Sequence, residues 1–144
     1  MIDMFGNGRA KAVVGHDWGA SVAYACAMRA PAKLQHLIIA NGVHPAPFQS
    51  SLAAGGSQSK ASQYIEWLRA VGSEKVLVAN DFERMFGMFA KHMNMGWLTK
   101  DLKEGYRTAW RDEAGVRGMV NWYRATPLQV AQPGKPIPAD SLPE

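Results

Sequence analysis

Ala12-Val13-Val14-Gly15-His16-Asp17-Trp18-Gly19-Ala20 decides how this chain is read: an apolar run, two glycines four positions apart, and then a stretch rich in alanine. A strand that reverses sharply into a helix and presents one side chain at the apex needs small residues two positions to either side, because the backbones crowd there. Gly15 and Gly19 meet that need, and Asp17 is the side chain presented. The stretch reads as a nucleophile elbow. A serine in that place has to give up its proton to a base before it attacks, whereas a carboxylate of pKa ~3.9 is already ionised at neutral pH. Attack on an ester carbonyl would yield a high-energy anhydride. The electrophile that suits an aspartate is a saturated carbon with a good leaving group, such as an epoxide or an alkyl halide. The same glycine spacing also occurs in ordinary strand-to-helix turns, with Asp as the helix N-cap. A metal reading of His16 with Asp17 is weaker, because adjacent residues point in different directions and no second cluster supplies further ligands.

The 144 residues, 47% of them hydrophobic, suffice for one modest domain with a core of its own. The formal charge of +4 is small. Between Asp17 and Glu66 the only charged residues are Arg29, Lys33 and Lys60, three spaced cations that read as a solvated surface. A nucleic-acid footprint needs clustered Lys and Arg with interleaved aromatics, so nucleic acid is not expected as a partner. Cys26 is the single cysteine, which excludes an intrachain disulfide and fits a reducing compartment. No apolar run reaches the length of a membrane span, and the N-terminus lacks a charged segment followed by a long apolar one. The expectation is a soluble, cytoplasmic protein without membrane association.

Working outward from the elbow, Lys11 to Val14 predicts a short strand and Trp18 to Arg29 a helix that Pro31 ends. Leu37 to Ala40 predicts a second buried strand. Two uniformly apolar strands joined by one helix make a parallel βαβ unit. Asn41-Gly42, Pro45 and Pro47 read as the turn that closes it. From Phe48 to Lys60 the chain is rich in Ser, Ala and Gly, which predicts a linker. Val78, Phe82, Met85, Phe86, Phe89 and Met93 then recur at helical spacing, as do Leu102, Tyr106 and Trp110, and later Val116, Met119, Val120 and Tyr123. Gly72 followed by Ser73-Glu74 reads as one helix end and the next start. Roughly four helices are expected over residues 61–126. Five of the eight prolines fall from Pro127 onward, which predicts an extended connector. A lone βαβ pair leaves its edges and faces uncovered in water, so the chain reads as incomplete.

Val13-Val14-Gly15-His16-Asp17-Trp18-Gly19-Ala20, then Asn41-Gly42-Val43-His44-Pro45, then Asn121-Trp122-Tyr123-Arg124, resemble the epoxide hydrolase branch of the α/β-hydrolase superfamily. The likeness runs in consistent order over residues 10–130. It implies an α/β chain, a fragment of an α/β-hydrolase fold in which a short parallel βαβ unit is followed by a helical cap. Residues 1–47 are then the central part of the core, 48–60 the linker, 61–126 the cap and 127–144 the Pro-rich connector. No metal or organic cofactor is implied.

By the same resemblance Asp17 is the nucleophile that becomes a covalent alkyl ester, and the backbone N–H of Trp18 is half of an oxyanion hole. Tyr123 is one of two cap tyrosines that hydrogen-bond the epoxide oxygen. For the second donor, Tyr64 lies in the first cap helix, whereas alignment through Arg69 to Gly72 puts Trp67 nearer the expected place. The indole of Trp18 reads as packing or pocket lining, with halide binding as in the related haloalkane dehalogenases the other choice. Halide needs indole or amide donors and not a phenol, so the Asn-Trp-Tyr-Arg motif favours a small apolar epoxide as substrate. Tyr123 also fits a core position, His44 a turn, and His36 and His92 belong to no constellation. The upstream His-Gly segment of the family, and its downstream acid and general-base histidine, have no counterpart in the 144 residues. Loss of a general base costs about 10²–10⁴-fold, so poor turnover of a truncated enzyme is expected. The rival expectation is a non-catalytic fragment that acts by associating through its exposed sheet edges.

Overall fold

Strand formation begins where apolar and β-branched residues cluster, and a helix follows as soon as the alanines allow close approach. The computed structural model describes residues 1–90 and 93–142. After a short helix α1 (Ile2–Phe5), strand β1 (Ala10–His16) runs into helix α2 (Trp18–Arg29), and strand β2 (Leu34–Ala40) returns beside it. The two strands pair in parallel, with Ala10 opposite Leu34 and His16 opposite Ala40. Pro31 opens a single 3-10 turn, Pro31–Lys33, that feeds β2. Contact between α2 and the strands is made through very small residues. A Cβ on Gly15 would sit 2.7 Å from the Ala23 Cβ, and one on Gly42 would sit 2.2 Å from the Ala20 Cβ.

Helix α2 covers one face of this pair. Val14 and Ile38, neighbours across the register, are 67% and 50% exposed on the other face. Leu37–Ala40, expected as a buried strand from its apolarity, is covered on one face only, and the open face is what a lone βαβ pair leaves in water. Among the described residues nothing covers the second face, and both outer strand edges are unpaired.

Among the described residues six helices follow: α3 (Pro45–Ala53), α4 (Ser57–Ala61), α5 (Gln63–Arg69), α6 (Ser73–Ala90), α7 (Lys100–Trp110) and α8 (Glu113–Ala125). Residues 48–60, expected as a linker, are therefore mostly helical. Pro45 is the first residue of α3, where a missing N–H costs nothing, and the His44 ring caps the helix by accepting from the Ala46 N–H at 3.3 Å. The small residues that suggested flexibility instead permit close packing. The fully buried Ser59 hydroxyl donates to the Leu52 carbonyl at 2.9 Å, and Gly55 turns the chain at φ +70°.

Leu68, Leu77, Phe82, Val116 and Val120 from α5, α6 and α8 form the main core. Helix α6 is interrupted where the apolar spacing predicted continuity: Asn80, Asp81 and Phe82 all take positive φ. Asn and Asp tolerate that conformation better than most residues. Phe82 does not, but the break turns its ring into the core against Trp110, 5.4 Å between centroids. The segment after Pro127, expected as an extended connector, also turns at Gln132–Lys135 and in the 3-10 turn Ala139–Ser141, and it is tied down. Ala131, Gly134 and Ile137 donate backbone N–H groups to Leu52, Gly55 and Ala53 at the end of α3. Among the described residues no helix is long and apolar enough to cross a membrane.

Candidate active site

Between β1 and α2 the chain turns on one residue. Asp17 takes φ 53° and ψ −124°, on the side of the map that L residues avoid at a cost of about 1–3 kcal/mol. The helix starts at once, with the Ala20 N–H on the Asp17 carbonyl at 2.9 Å. Gly15 allows this, because a Cβ there would lie 2.4 Å from the Gly19 carbonyl and 2.7 Å from the Ala20 Cα. Gly19 was expected to be demanded by the same crowding, yet a Cβ on Gly19 meets open space. Only the glycine on the strand side is required by contact.

The Asp17 carboxylate stands at the N-terminus of α2, where it accepts from the Trp18 N–H at 2.7 Å. The partial positive charge of a helix N-terminus favours the anion by about 0.3–1 kcal/mol. Asp17 lines a cleft of about 1020 Å³ whose remaining walls come from helices α4, α5, α6 and α8. Tyr64, Trp67, Met88, Phe89 and Tyr123 give it an apolar interior, and Lys60 and Arg84 add two cations.

Tyr64 and Tyr123 meet in that cleft with their rings edge to face, 6.0 Å between centroids. Burial pushes the Tyr64 phenol up to about 12, with Tyr123 and the Asp17 charge adding to the rise. Burial also raises Tyr123, the neighbouring Trp18 indole works against that rise, and the Asp17 charge supports it. Both phenols thus keep their protons far above neutral pH, and both line the cleft that Asp17 lines.

Trp18 is the point where the elbow touches the helices. Its ring lies edge-on to Tyr123 at 5.2 Å and 6.1 Å from Trp122. Trp67 lines the same cleft, but its face is covered by the Arg84 guanidinium at 4.5 Å and its body packs on the main core. Of the two residues considered beside Tyr123, it is Tyr64 whose ring meets the Tyr123 ring. His44 caps α3 and meets Tyr24 edge to face at 5.1 Å. His36 is exposed on β2, and His92 lies outside the described residues. Among the described residues no three His, Cys, Asp or Glu side chains come together as metal ligands.

Sequence reasoning missed four residues. Lys60 and Arg84 carry no pattern that would place them in a cleft. Arg69 and Arg124 bind the cleft helices together through backbone carbonyls. Their only signal was position, at a helix end before Gly72 and at the close of the Asn-Trp-Tyr-Arg stretch.

No family model matches the chain. It is 30% identical over 114 residues to the AB hydrolase superfamily protein YfhM of Bacillus subtilis, an alignment that covers 78% of this chain and 40% of that protein. It is 33% identical over 74 residues to epoxide hydrolase 3 of Xenopus tropicalis, covering 51% of this chain and 20% of that protein. A solved structure of a mutant epoxide hydrolase from Bacillus megaterium superposes on 86% of this chain with a TM-score of 0.74 and 30% identity. This chain spans 43% of that one.

Proposed function

The chain belongs to the epoxide hydrolase-like branch of the α/β-hydrolase superfamily and covers part of that larger fold, and on that premise we propose that it opens small apolar epoxides through Asp17. A carboxylate oxygen of Asp17 bonds to a ring carbon, the carbon–oxygen bond of the ring breaks, and its electron pair goes to the epoxide oxygen. Tyr64 and Tyr123 donate to that oxygen as its charge develops, and one of them supplies the proton that leaves an alcohol. The product is an alkyl ester of Asp17. Water attacking its carbonyl carbon puts negative charge on the ester oxygen beside the Trp18 N–H, and collapse returns the carboxylate and releases a diol, one proton of the water going to the departing alcohol oxygen and the other restoring the tyrosine. The observation that supports this reading is the strained Asp17 backbone, which aims one carboxylate into a cleft faced by two protonated tyrosines.

The second half of the cycle needs a base to activate water, and the described residues lining the cleft include no histidine. In the 144-residue chain the ester is expected to persist. Incubation with styrene oxide should therefore add one epoxide mass to the peptide containing Asp17, read by intact and peptide mass spectrometry. Asp17→Asn should show no adduct. Labelling at another residue, or steady diol release by this chain alone, would refute the respective part of the reading. Haloalkanes should label Asp17 more slowly, because the Trp18 ring that could hold a departing halide is packed edge-on against Tyr123. A reducing, cytoplasmic setting, suggested by the lone Cys26, belongs to the same proposal. So does association through the unpaired edges of β1 and β2, which light scattering would detect as a mass above that of one chain.

A further inference from the structure

Helix α5 closes one of its last carbonyls itself, the Ala70 N–H donating to Trp67 at 3.2 Å, whereas α8 closes none through its cap residue, Thr126. The residue after α5, Ala70, is extended at ψ 141°, and the residue after α8, Thr126, is extended at ψ 138° and is followed by Pro127. Neither end has the left-handed residue that ordinarily turns an N–H back onto the final turn. Each helix is capped by an arginine of the other. Arg69, the last residue of α5, donates Nε to the Tyr123 carbonyl at 2.9 Å and Nη2 to the Thr126 and Leu128 carbonyls at 3.0 and 2.7 Å. Arg124 of α8 donates Nε to the Arg69 carbonyl at 3.4 Å and Nη2 to the Ala70 carbonyl at 3.1 Å. Carboxylates hold both guanidinium groups in place, Glu66 on Arg69 and Glu74 on Arg124, each at 2.6 Å.

This exchange lies at the base of the cleft helices. Tyr64 stands on the seven-residue helix that Arg69 ends, and Tyr123 carries one of the carbonyls that Arg69 holds. We infer that Arg69 and Arg124 are positioning residues: by capping each other's helix they fix α5 against α8 and so set the spacing of the Tyr64 and Tyr123 hydroxyls over Asp17. The inference rests on the proposed epoxide opening, in which both hydroxyls must reach one oxygen at about 2.6–3.2 Å. A lysine at either place keeps the charge but lacks the planar fork that serves several carbonyls at once.

The rate of Asp17 ester formation from styrene oxide, followed by intact mass over a range of concentrations, gives a limiting rate and a half-saturating concentration. Arg69→Lys should lower the limiting rate about 10-fold or more, as sub-ångström to 1 Å misplacement does, and move the half-saturating concentration far less. In a Tyr64→Phe, Tyr123→Phe background the same change should cost about 2-fold or less, because the residues it acts through are gone. Equal slowing in both backgrounds overturns the inference. A second readout needs no epoxide. In chain labelled with 3-fluorotyrosine, the ¹⁹F resonances of Tyr64 and Tyr123, assigned by the Phe variants, should shift in Arg69→Lys and in Arg124→Lys, while Tyr24 and Tyr106 stay put. Unmoved cleft resonances overturn it even where Asp17 reacts. Shifted resonances with no Asp17 ester in the parent chain uphold the positioning and sink the epoxide reading instead. Loss of the thermal transition in both lysine variants also overturns it, because the arginines would then hold the fold and not a spacing.

Discussion

Around the Asp17 turn main chain lies against main chain, whereas across α5, α6 and α8 large side chains fill the space between helices. In the first region the close contacts are made by Gly15, Ala20, Ala23 and Gly42, and the strand side chains Val14 and Ile38 stay exposed. In the second, Leu68, Leu77, Phe82, Val116 and Val120 are buried, and arginines bridge the helix ends. The candidate site lies on the seam, its carboxylate supplied by one region and its phenols by the other. The two regions should therefore fail in opposite ways. The elbow is sensitive to atoms added, and the helical region to atoms removed.

Truncation in the helical core should give the largest effect. Leu68 is 4% exposed among the core side chains, and Leu68→Ala is expected to cost about 2–5 kcal/mol, from lost burial plus the cavity left behind. Urea unfolding measures it. A cost under about 0.5 kcal/mol, typical of surface changes, would mean that the α5, α6 and α8 contact is not a true core.

The elbow is tested by a pair of glycines. Gly15→Ala puts a methyl within 2.7 Å of both the Ala20 Cα and the Ala23 Cβ, so helix and strand must separate. Overpacking of this kind costs about 1–3 kcal/mol and should slow Asp17 labelling as well. Gly19→Ala has the opposite expectation. Its new Cβ meets open space inside α2, and replacing a helical glycine by alanine stabilises by about 0.5–1 kcal/mol. Both variants can be compared in one thermal melt. If the two behave alike, close backbone approach is not what shapes the turn.

The same division explains what the sequence disclosed. The elbow was legible because its geometry depends on residues adjacent in the chain: a strand, a glycine, and a helix of alanines whose bounds, Trp18–Arg29, are those expected. Asp17 needed only its own chemistry. That the Tyr64 ring, and not Trp67, meets the Tyr123 ring was not legible, since it depends on how α5 is rotated against α8. For the same reason Lys60 and Arg84 could not be placed in the cleft. Residues 48–60 misled because Ser, Gly and Ala suit a flexible linker and a closely packed helix pair equally well; the buried hydrogen bond from Ser59 to Leu52 distinguishes the two and is a tertiary fact. The break in α6 had a local sign, the Asn80-Asp81 pair, which the continuous apolar spacing obscured.

The smallest effect concerns the carboxylate that braces the arginine exchange. Glu74 is buried at the start of α6, where its Oε2 accepts from Arg124 at 2.6 Å and its Oε1 from Arg117 at 3.3 Å. The Arg124 hydrogen bond holds its carboxyl below the usual glutamate range, with a backbone N–H and both arginine charges assisting and burial opposing. A native pKa below the unfolded one means that the unfolded chain binds the proton more readily, so this group favours the folded state wherever it is ionised. That contribution is complete above the ordinary glutamate value of about 4.3 and disappears as the pH falls through the lowered native value. Glu74→Gln should then be less stable than the parent near pH 7, and the gap between the two should narrow toward about pH 3. Urea midpoints at the two pH values decide it. A gap that stays constant would mean that Glu74 contributes by shape and not by charge, and that Arg124 keeps its place on the Arg69 and Ala70 carbonyls without an ion to hold it there.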